Sequence, residues 1–140
     1  MRVMALDVGT KNIGVAVSDE TATIAQGREC VRRSGDAPAV ERIRSIAEEY
    51  NVERIVVGFP VNMDGTIGER ARDSRDFASL LAREIGVPVM LWDERLSTKE
   101  AEDIMIKADV SRKKRKAAID RLAAQIILQN YLDSRKAGGG

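Results

Sequence analysis

Residues 3–6 are apolar at every position, whereas a strand with one face in water alternates apolar and polar residues. A continuous run of this kind predicts a strand that is covered on both faces. Asp7 follows the run directly, at a position where strand propensity would favour Val or Ile. The chain is therefore expected to form a layered structure with a carboxylate at the end of a buried strand.

Turn composition and periodicity predict the remaining elements. Residues 9–12 have the composition of a tight turn into a second strand, which makes a β-hairpin. Helices and strands then alternate, and this order predicts an α/β fold with a five-stranded mixed sheet, the N-terminal strands antiparallel, the later strands parallel, and helices on both faces. The predicted strands are residues 3–6, 13–17, 25–31, 54–59 and 87–92. The predicted helices are residues 40–50, 71–85 (closed by Gly86), 101–108 (capped by Ser97 and Glu100) and 117–134.

The composition, 44% apolar and 32% charged in 140 residues, is that of an ordinary globular domain. We expect one domain, residues 1–136, followed by a flexible tail, residues 137–140. No apolar run approaches the ~20 residues that span a bilayer, so no membrane association is expected. The N-terminus lacks a secretory signal and Cys30 is the only cysteine, which together favour a cytoplasmic location.

The sequence contains no histidine. This excludes the Ser/His and Cys/His nucleophile systems and every zinc site that uses histidine. Chemistry would have to come from carboxylates, lysines or a bound metal ion. The formal net charge is only +1, but residues 107–121 hold seven Lys or Arg against two Asp, a cluster that could face a polyanion.

Three carboxylates stand at positions where local structure alone does not require them. Asp7 ends the buried strand, and Glu94 lies at a junction between strand and loop. Asp120 falls between Ile127 and Tyr131 on the apolar arc of the last helix, at about 100° per residue. An ionised carboxylate in an apolar interior is costly unless a cation or hydrogen bonds compensate. Structural interpretations stay open: Asp7 could cap the turn that follows it, and Asp120 could favour the helix dipole.

The three acids would converge if the strands of Asp7 and Glu94 flank the central strand and the last helix lies across them. Carboxylates that converge repel one another and attract hard divalent cations. We therefore predict one or two Mg²⁺ or Mn²⁺ ions held by Asp7, Glu94 and Asp120. Such a site suits hydrolysis of phosphodiesters, because metal ions can activate water and stabilise the leaving oxygen.

Cations near this site are the predicted contacts with nucleic acid. The five consecutive cations of residues 112–116 would neutralise backbone phosphates, although a connector exposed to solvent is the alternative interpretation. Aromatic residues make up only 4% of the chain, so recognition of the backbone or of shape is favoured over base stacking. The candidate binding residues are Lys11, Arg70, Arg95, Arg112, Lys113, Lys114 and Arg115.

Four separate blocks resemble the YqgF family, also called RuvX, in the same order and over nearly the whole chain. They are DVGTKNIGVA in residues 7–16, VGFP with NMDGT in residues 57–66, DERLST with AE in residues 93–102, and ID with AA and ILQ in residues 119–129. The resemblance implies a ribonuclease H-like fold related to the RuvC Holliday junction resolvases. It also implies a bacterial cytoplasmic nuclease that processes the 5′ end of pre-16S ribosomal RNA, with resolution of branched DNA as the alternative activity.

By motif position, the catalytic acids of the family correspond to Asp7, Glu94 and Asp120. RuvC-like enzymes carry a fourth acid one helical turn after the last of these, where this chain has Ala123 and Ala124. Asp19 or a backbone carbonyl could substitute for it. The choice between one metal ion and two is therefore open.

Two other functions are compatible with parts of the sequence. The segment from Asp7 to Lys11 also resembles the phosphate loop of ATP-binding proteins of the actin and sugar-kinase group, but those proteins need two lobes and 140 residues supply one. A nucleic-acid-binding module without catalysis is the second alternative. The sequence does not decide between an RNA precursor and a DNA junction as substrate, nor between monomer and dimer.

Overall fold

The structure, a computed structural model, describes residues 1–94 and 116–137. Five strands and three helices lie within these ranges. In chain order they are β1 (Arg2–Val8), β2 (Asn12–Ser18), β3 (Ala25–Arg32), α1 (Asp36–Glu49), β4 (Val52–Phe59), α2 (Glu69–Glu84), β5 (Val89–Asp93) and α3 (Lys116–Ala137).

The strands form one mixed sheet in the order β3-β2-β1-β4-β5. β2 is antiparallel to both of its neighbours, whereas β1, β4 and β5 are parallel. Leu6 is paired with Val57 and Phe59 with Asp93, so the carboxyl ends of β1, β4 and β5 lie at one edge of the sheet. The predicted five-stranded mixed sheet is confirmed, and β4 separates the strand of Asp7 from the strand that leads to Glu94.

Alternate residues of β1 face two different layers, which explains why residues 3–6 are all apolar. Met4 and Leu6 pack into the core beneath α1 and α2, and Val3 and Ala5 pack against α3. All four side chains are fully buried. Removing one of them, as in Leu6→Ala, is expected to cost about 2–5 kcal/mol of stability.

The end of α2 differs from its sequence prediction. The helix ends at Glu84, and Ile85, not the predicted Gly86, is the first residue outside it, with an extended backbone (φ −113°, ψ 135°). The Ile85 side chain is buried in the core beneath α1 and α2. The chain therefore leaves the helix early because the extended conformation buries this isoleucine.

α3 is held closely against β3 and the loop before it. The amide of Gln129 accepts a hydrogen bond from the backbone N–H of Ala25 and donates one to the carbonyl of Thr23, both at 3.0 Å. A Cβ atom at Gly27 would lie 3.0 Å from the carbonyl oxygen of Arg121. The absence of a side chain at Gly27 thus allows the first turns of α3 to approach the sheet.

Several predictions fall outside the described residues, among them the helix over residues 101–108 and nearly all of the tail. The division into one domain and a tail stays a prediction. Across residues 1–94 and 116–137, no helix combines the length and the apolar character needed to cross a membrane.

Candidate active site

Asp7 lies at the carboxyl end of β1, opposite Gly14 of β2. By strand alternation it shares the face of Val3 and Ala5, on which α3 packs. Its side chain is largely buried, and Oδ1 lies 3.4 Å from Nη2 of Arg70, at the start of α2. The Arg70 side chain is 59% exposed, so it contacts a buried carboxylate at one end and reaches solvent.

Glu94 follows β5 directly. Its backbone N–H donates to the carbonyl of Phe59 at 3.2 Å, which fixes the residue beside the end of β4. Its Oε2 atom is buried and has no hydrogen-bond partner among the described residues. Burial raises the pKa of the Glu94 carboxyl to about 7; the negative charge of Asp7 adds to this rise, and the positive charge of Arg70 opposes it.

Gly58 of β4 lies directly beside the Glu94 side chain. A Cβ atom there would lie 2.9 Å from Oε2 of Glu94 and 2.6 Å from Cδ1 of Ile127. The central strand therefore has no side chain where Glu94 and α3 meet. Sequence reasoning did not single out Gly58, although a glycine inside an apolar strand is the pattern that indicates a close approach.

Asp120 lies in the second turn of α3, and its side chain is outside the described atoms. Ala124 and Ile127, four and seven residues later, share its stripe of the helix and are buried against the sheet. Ile127 reaches Gly58, beside Glu94. The structure thus brings Asp7 and Glu94 together, and the inclusion of Asp120 stays a prediction.

The other predicted binding residues are described only in part. Lys11 is exposed in the turn between β1 and β2, and Arg70 lies beside Asp7 as stated. The remaining candidates lie outside the described residues: Arg95, Arg112, Lys113, Lys114 and Arg115.

Asp19 cannot replace the missing fourth acid. It lies in the loop after β2, and Ser18 next to it accepts a hydrogen bond from Val3 at the start of β1, so Asp19 is at the opposite end of the sheet from Asp7. Its carboxylate accepts hydrogen bonds from the backbone N–H groups of Thr23 (2.8 Å) and Ile24 (2.9 Å). These bonds hold the pKa of Asp19 well below its ordinary range, and the residue stabilises its own loop.

Arg33, just after β3, is a second residue near the site that sequence reasoning missed. Its guanidinium forms two hydrogen bonds with the Asp73 carboxylate, at 2.6 and 2.9 Å, and donates to the carbonyl of Gly9 at 3.0 Å. It also borders a cavity of about 520 Å³ that reaches Val8 and Arg70. No local pattern marks this role of Arg33, because Gly9 and Asp73 lie far from it in the sequence.

The described atoms fit a divalent cation at Asp7 and Glu94. Within the described part of the chain no three acids lie close enough together to hold a metal. The pair itself has the properties that a cation would satisfy, namely two neighbouring carboxylates and a buried Oε2 atom without a hydrogen-bond partner.

Comparison with solved structures identifies the class of fold. The chain is similar to Thermus thermophilus RuvC in complex with a Holliday junction substrate, with a TM-score of 0.58, 19% sequence identity, and coverage of 97% of this chain and 96% of that one. It is also similar to the fowlpox virus Holliday junction resolvase, with a TM-score of 0.56, 16% identity, and coverage of 96% and 99%. The fold is therefore the ribonuclease H-like α/β fold, as the resemblance implied.

Comparison of sequences then gives the family. The family described as "RuvX: Holliday junction resolvase" matches residues 1–134. Relatives named "Putative pre-16S rRNA nuclease" include one from Geobacillus sp. (strain WCH70), 56% identical over 138 residues with 97% of this chain and 100% of the relative covered, and one from Halothermothrix orenii, 52% identical over 133 residues with 95% of each covered. This chain belongs to the RuvX family.

Proposed function

We propose that this protein is a metal-dependent endonuclease that hydrolyses phosphodiester bonds in processing the 5′ end of pre-16S rRNA in the cytoplasm. The observation that carries the proposal is the buried Glu94 carboxylate, which is close enough to Asp7 to be affected by its negative charge and has an oxygen atom without a described hydrogen-bond partner. Family membership and the names of the relatives support the choice of activity and substrate.

The reaction requires a cation at these acids. Asp7 and Glu94, with Asp120 as the third expected ligand, would hold Mg²⁺ or Mn²⁺, which supplies activation of water and stabilisation of charge on the phosphate. Near neutral pH the Glu94 carboxyl retains its proton for part of the time, and this proton leaves when a cation binds. The role of the buried environment is to fix the direction of both carboxylates.

The cations of the chain would contact the substrate backbone. Arg70 reaches from Asp7 to solvent, so its guanidinium is suited to a phosphate oxygen next to the scissile bond. Lys11, in the adjoining turn, would contact a neighbouring phosphate. We also assign phosphate contacts to the predicted set that the structure does not describe: Arg95, Arg112, Lys113, Lys114 and Arg115.

A cleavage panel tests the proposed function. A labelled RNA that contains the 5′ end of pre-16S rRNA and a four-way DNA junction are incubated with Mg²⁺, Mn²⁺ or EDTA. Wild type should cleave the RNA only with a metal ion, and Asp7→Asn, Glu94→Gln and Asp120→Asn should each lower the rate by at least about 100-fold, because each removes a charged ligand. Asp76→Asn, an exposed acid elsewhere on α2, is the matched control and should cleave like wild type.

The same panel decides between the proposal and its alternatives. Preferential cleavage of the junction would replace rRNA processing by Holliday junction resolution, which the description of the family favours. Binding of RNA without cleavage under any metal condition would indicate a non-catalytic binding module. Equal cleavage by wild type and all three acid variants would reveal a contaminating nuclease and refute the assignment of the site.

A further inference from the structure

Two charged residues on the first turns of α2 are placed so that they could pair with each other. Arg70 and Asp73 are three residues apart, a spacing at which oppositely charged side chains on a helix attract. The positive charge of Arg70 is close enough to contribute to the lowered pKa of Asp73, after the larger effect of Arg33. Yet the ion pair that Arg70 forms is with Asp7, across the end of the sheet.

The Asp73 carboxylate is already bound by Arg33. Both oxygen atoms of Asp73 accept from the two terminal nitrogen atoms of Arg33, while Nε of Arg33 donates to Asp36 at 3.0 Å. The guanidinium also lies over the ring of Phe77, 5.1 Å from its centroid. The Arg33 side chain is only 11% exposed, so it is held in this position from several sides.

We infer that Arg33 is a positioning residue, which binds Asp73 on both oxygen atoms and so prevents that carboxylate from capturing Arg70. With Asp73 occupied, the Arg70 guanidinium stays at Asp7, where the proposed function requires a contact with the substrate phosphate. The inference rests on the proposed function for this last step. It goes beyond it in assigning roles to Arg33 and Asp73, which lie outside the carboxylate pair.

A simpler role for Arg33 would be to anchor the end of β3 to α2 without any effect on Arg70. The two roles predict different outcomes when Arg33 and Asp73 are changed together. If Arg33 only anchors, the Arg70 side chain stays at Asp7 whether Arg33 is changed alone or together with Asp73. If Arg33 instead keeps Asp73 from pairing with Arg70, replacing Asp73 as well returns Arg70 to Asp7.

The test is a double-mutant cycle of Arg33→Gln, Asp73→Asn and the double variant, with cleavage of the RNA substrate measured in Mn²⁺. Arg33→Gln should lower kcat/KM about tenfold, because the freed Asp73 pairs with Arg70. The double variant should recover to within about threefold of Asp73→Asn. Arg75→Gln, on the same helix and paired with Asp76, is the control that should match wild type. A double variant no more active than Arg33→Gln overturns the inference.

A measurement on the metal-free protein separates this inference from the proposed function. The Nε–Hε resonance of Arg70 in ¹⁵N NMR spectra should shift in Arg33→Gln and return towards its wild-type position in the double variant. This readout decides the role of Arg33 even if no substrate is cleaved.

If Arg33→Gln does not fold, Arg33→Lys keeps the charge but frees one oxygen atom of Asp73, and should give a smaller shift that Asp73→Asn reverses. An Arg70 resonance that is unchanged in the folded Arg33 variant overturns the inference.

Discussion

Glu94 shows how one buried carboxyl group can couple stability to pH. In the folded protein its pKa is raised from an ordinary value of 4.5 to about 7, so folding favours the protonated form. The contribution of this group to stability is fully present below about pH 4.5 and is lost as the pH rises through about 7. A bound cation would reverse the effect, because it favours the ionised form.

We therefore expect the metal-free wild type to lose stability relative to Glu94→Gln as the pH rises from about 5 to 8. Glutamine has similar size and no charge, so the variant lacks this titration. The difference in the free energy of unfolding should change by roughly 2–3 kcal/mol over this range. Urea unfolding in EDTA at four pH values measures it. A difference that does not vary with pH would show that Glu94 is not buried in the way described.

Gly58→Ala tests whether the gap in β4 serves the site. The added methyl group would press on Oε2 of Glu94 and on Cδ1 of Ile127, so stability should fall by about 1–3 kcal/mol and activity should fall as well. The double variant Gly58→Ala/Ile127→Val removes one of the two clashes. It should recover much of the stability in thermal unfolding while cleavage remains impaired. Recovery of both quantities together would mean that Gly58 serves only the packing of α3.

These residues also show what the sequence could reveal at this scale. Asp7 was predictable because it interrupts an apolar strand, and the resemblance to the family pointed to Glu94. Gly58 and Arg33 were not found, because their roles depend on residues that are distant in sequence. Only the parallel pairing of β1, β4 and β5 makes Glu94 a neighbour of Gly58.

At the scale of elements, the position of α3 decides whether a third acid can join the site. The first turns of this helix approach β3 at Gly27, and Asp120 directly precedes Arg121, the residue in contact there. A side chain at position 27 would meet the backbone of the helix and not a movable side-chain tip. If Gly27 is replaced, the start of α3 therefore has to shift by a few tenths of an ångström.

Gly27→Ala should accordingly move the start of α3 away from the sheet. We expect cleavage to fall by at least about tenfold and a higher concentration of Mn²⁺ to be needed for half-maximal activity, because the shift would displace Asp120, the ligand proposed on this helix. Gly86→Ala is the matched control, since a Cβ atom there would meet nothing within 4 Å. Activity of Gly27→Ala equal to that of the control would contradict the placement of Asp120 in the site.

The predicted ends of elements were less accurate than their order, and α2 shows the reason. Periodicity located the buried face of this helix, but its end depends on Ile85, which packs into a core that only the complete sheet forms. A local sequence signal such as Gly86 cannot report that contact. Strands β1, β2 and β4, by contrast, each contain enough apolar residues to be recognised one at a time.

On the scale of the whole molecule, the net charge of +1 says little about where the cations lie. Most described arginines are already engaged in ion pairs or hydrogen bonds, as Arg42 is with Glu29 and Arg44 with Glu41. Such pairs contribute little to the attraction of a polyanion. The unbalanced positive charge of the sequence lies in residues 112–116.

Replacing Lys113, Lys114 and Arg115 by Ala should weaken binding of RNA and flatten its dependence on salt, because fewer counterions are released. The affinity for Mn²⁺ should not change. A control variant with Arg42, Arg44 and Arg75 replaced by Ala loses the same formal charge from arginines that are ion-paired. Fluorescence anisotropy from 50 to 200 mM salt compares the two. Equal salt slopes for both variants would show that the basic run does not contact the substrate.

The packing of α3 also has a consequence for folding of the chain during its synthesis on the ribosome. Among the described elements α3 is the last in chain order, yet it covers the face of the sheet formed by Val3, Ala5, Ala16 and Val56. At a synthesis rate of about 5–20 residues per second, the face stays uncovered for several seconds after β5 has been made. During that interval the nascent chain exposes apolar surface, which makes it prone to aggregation until α3 packs onto the sheet.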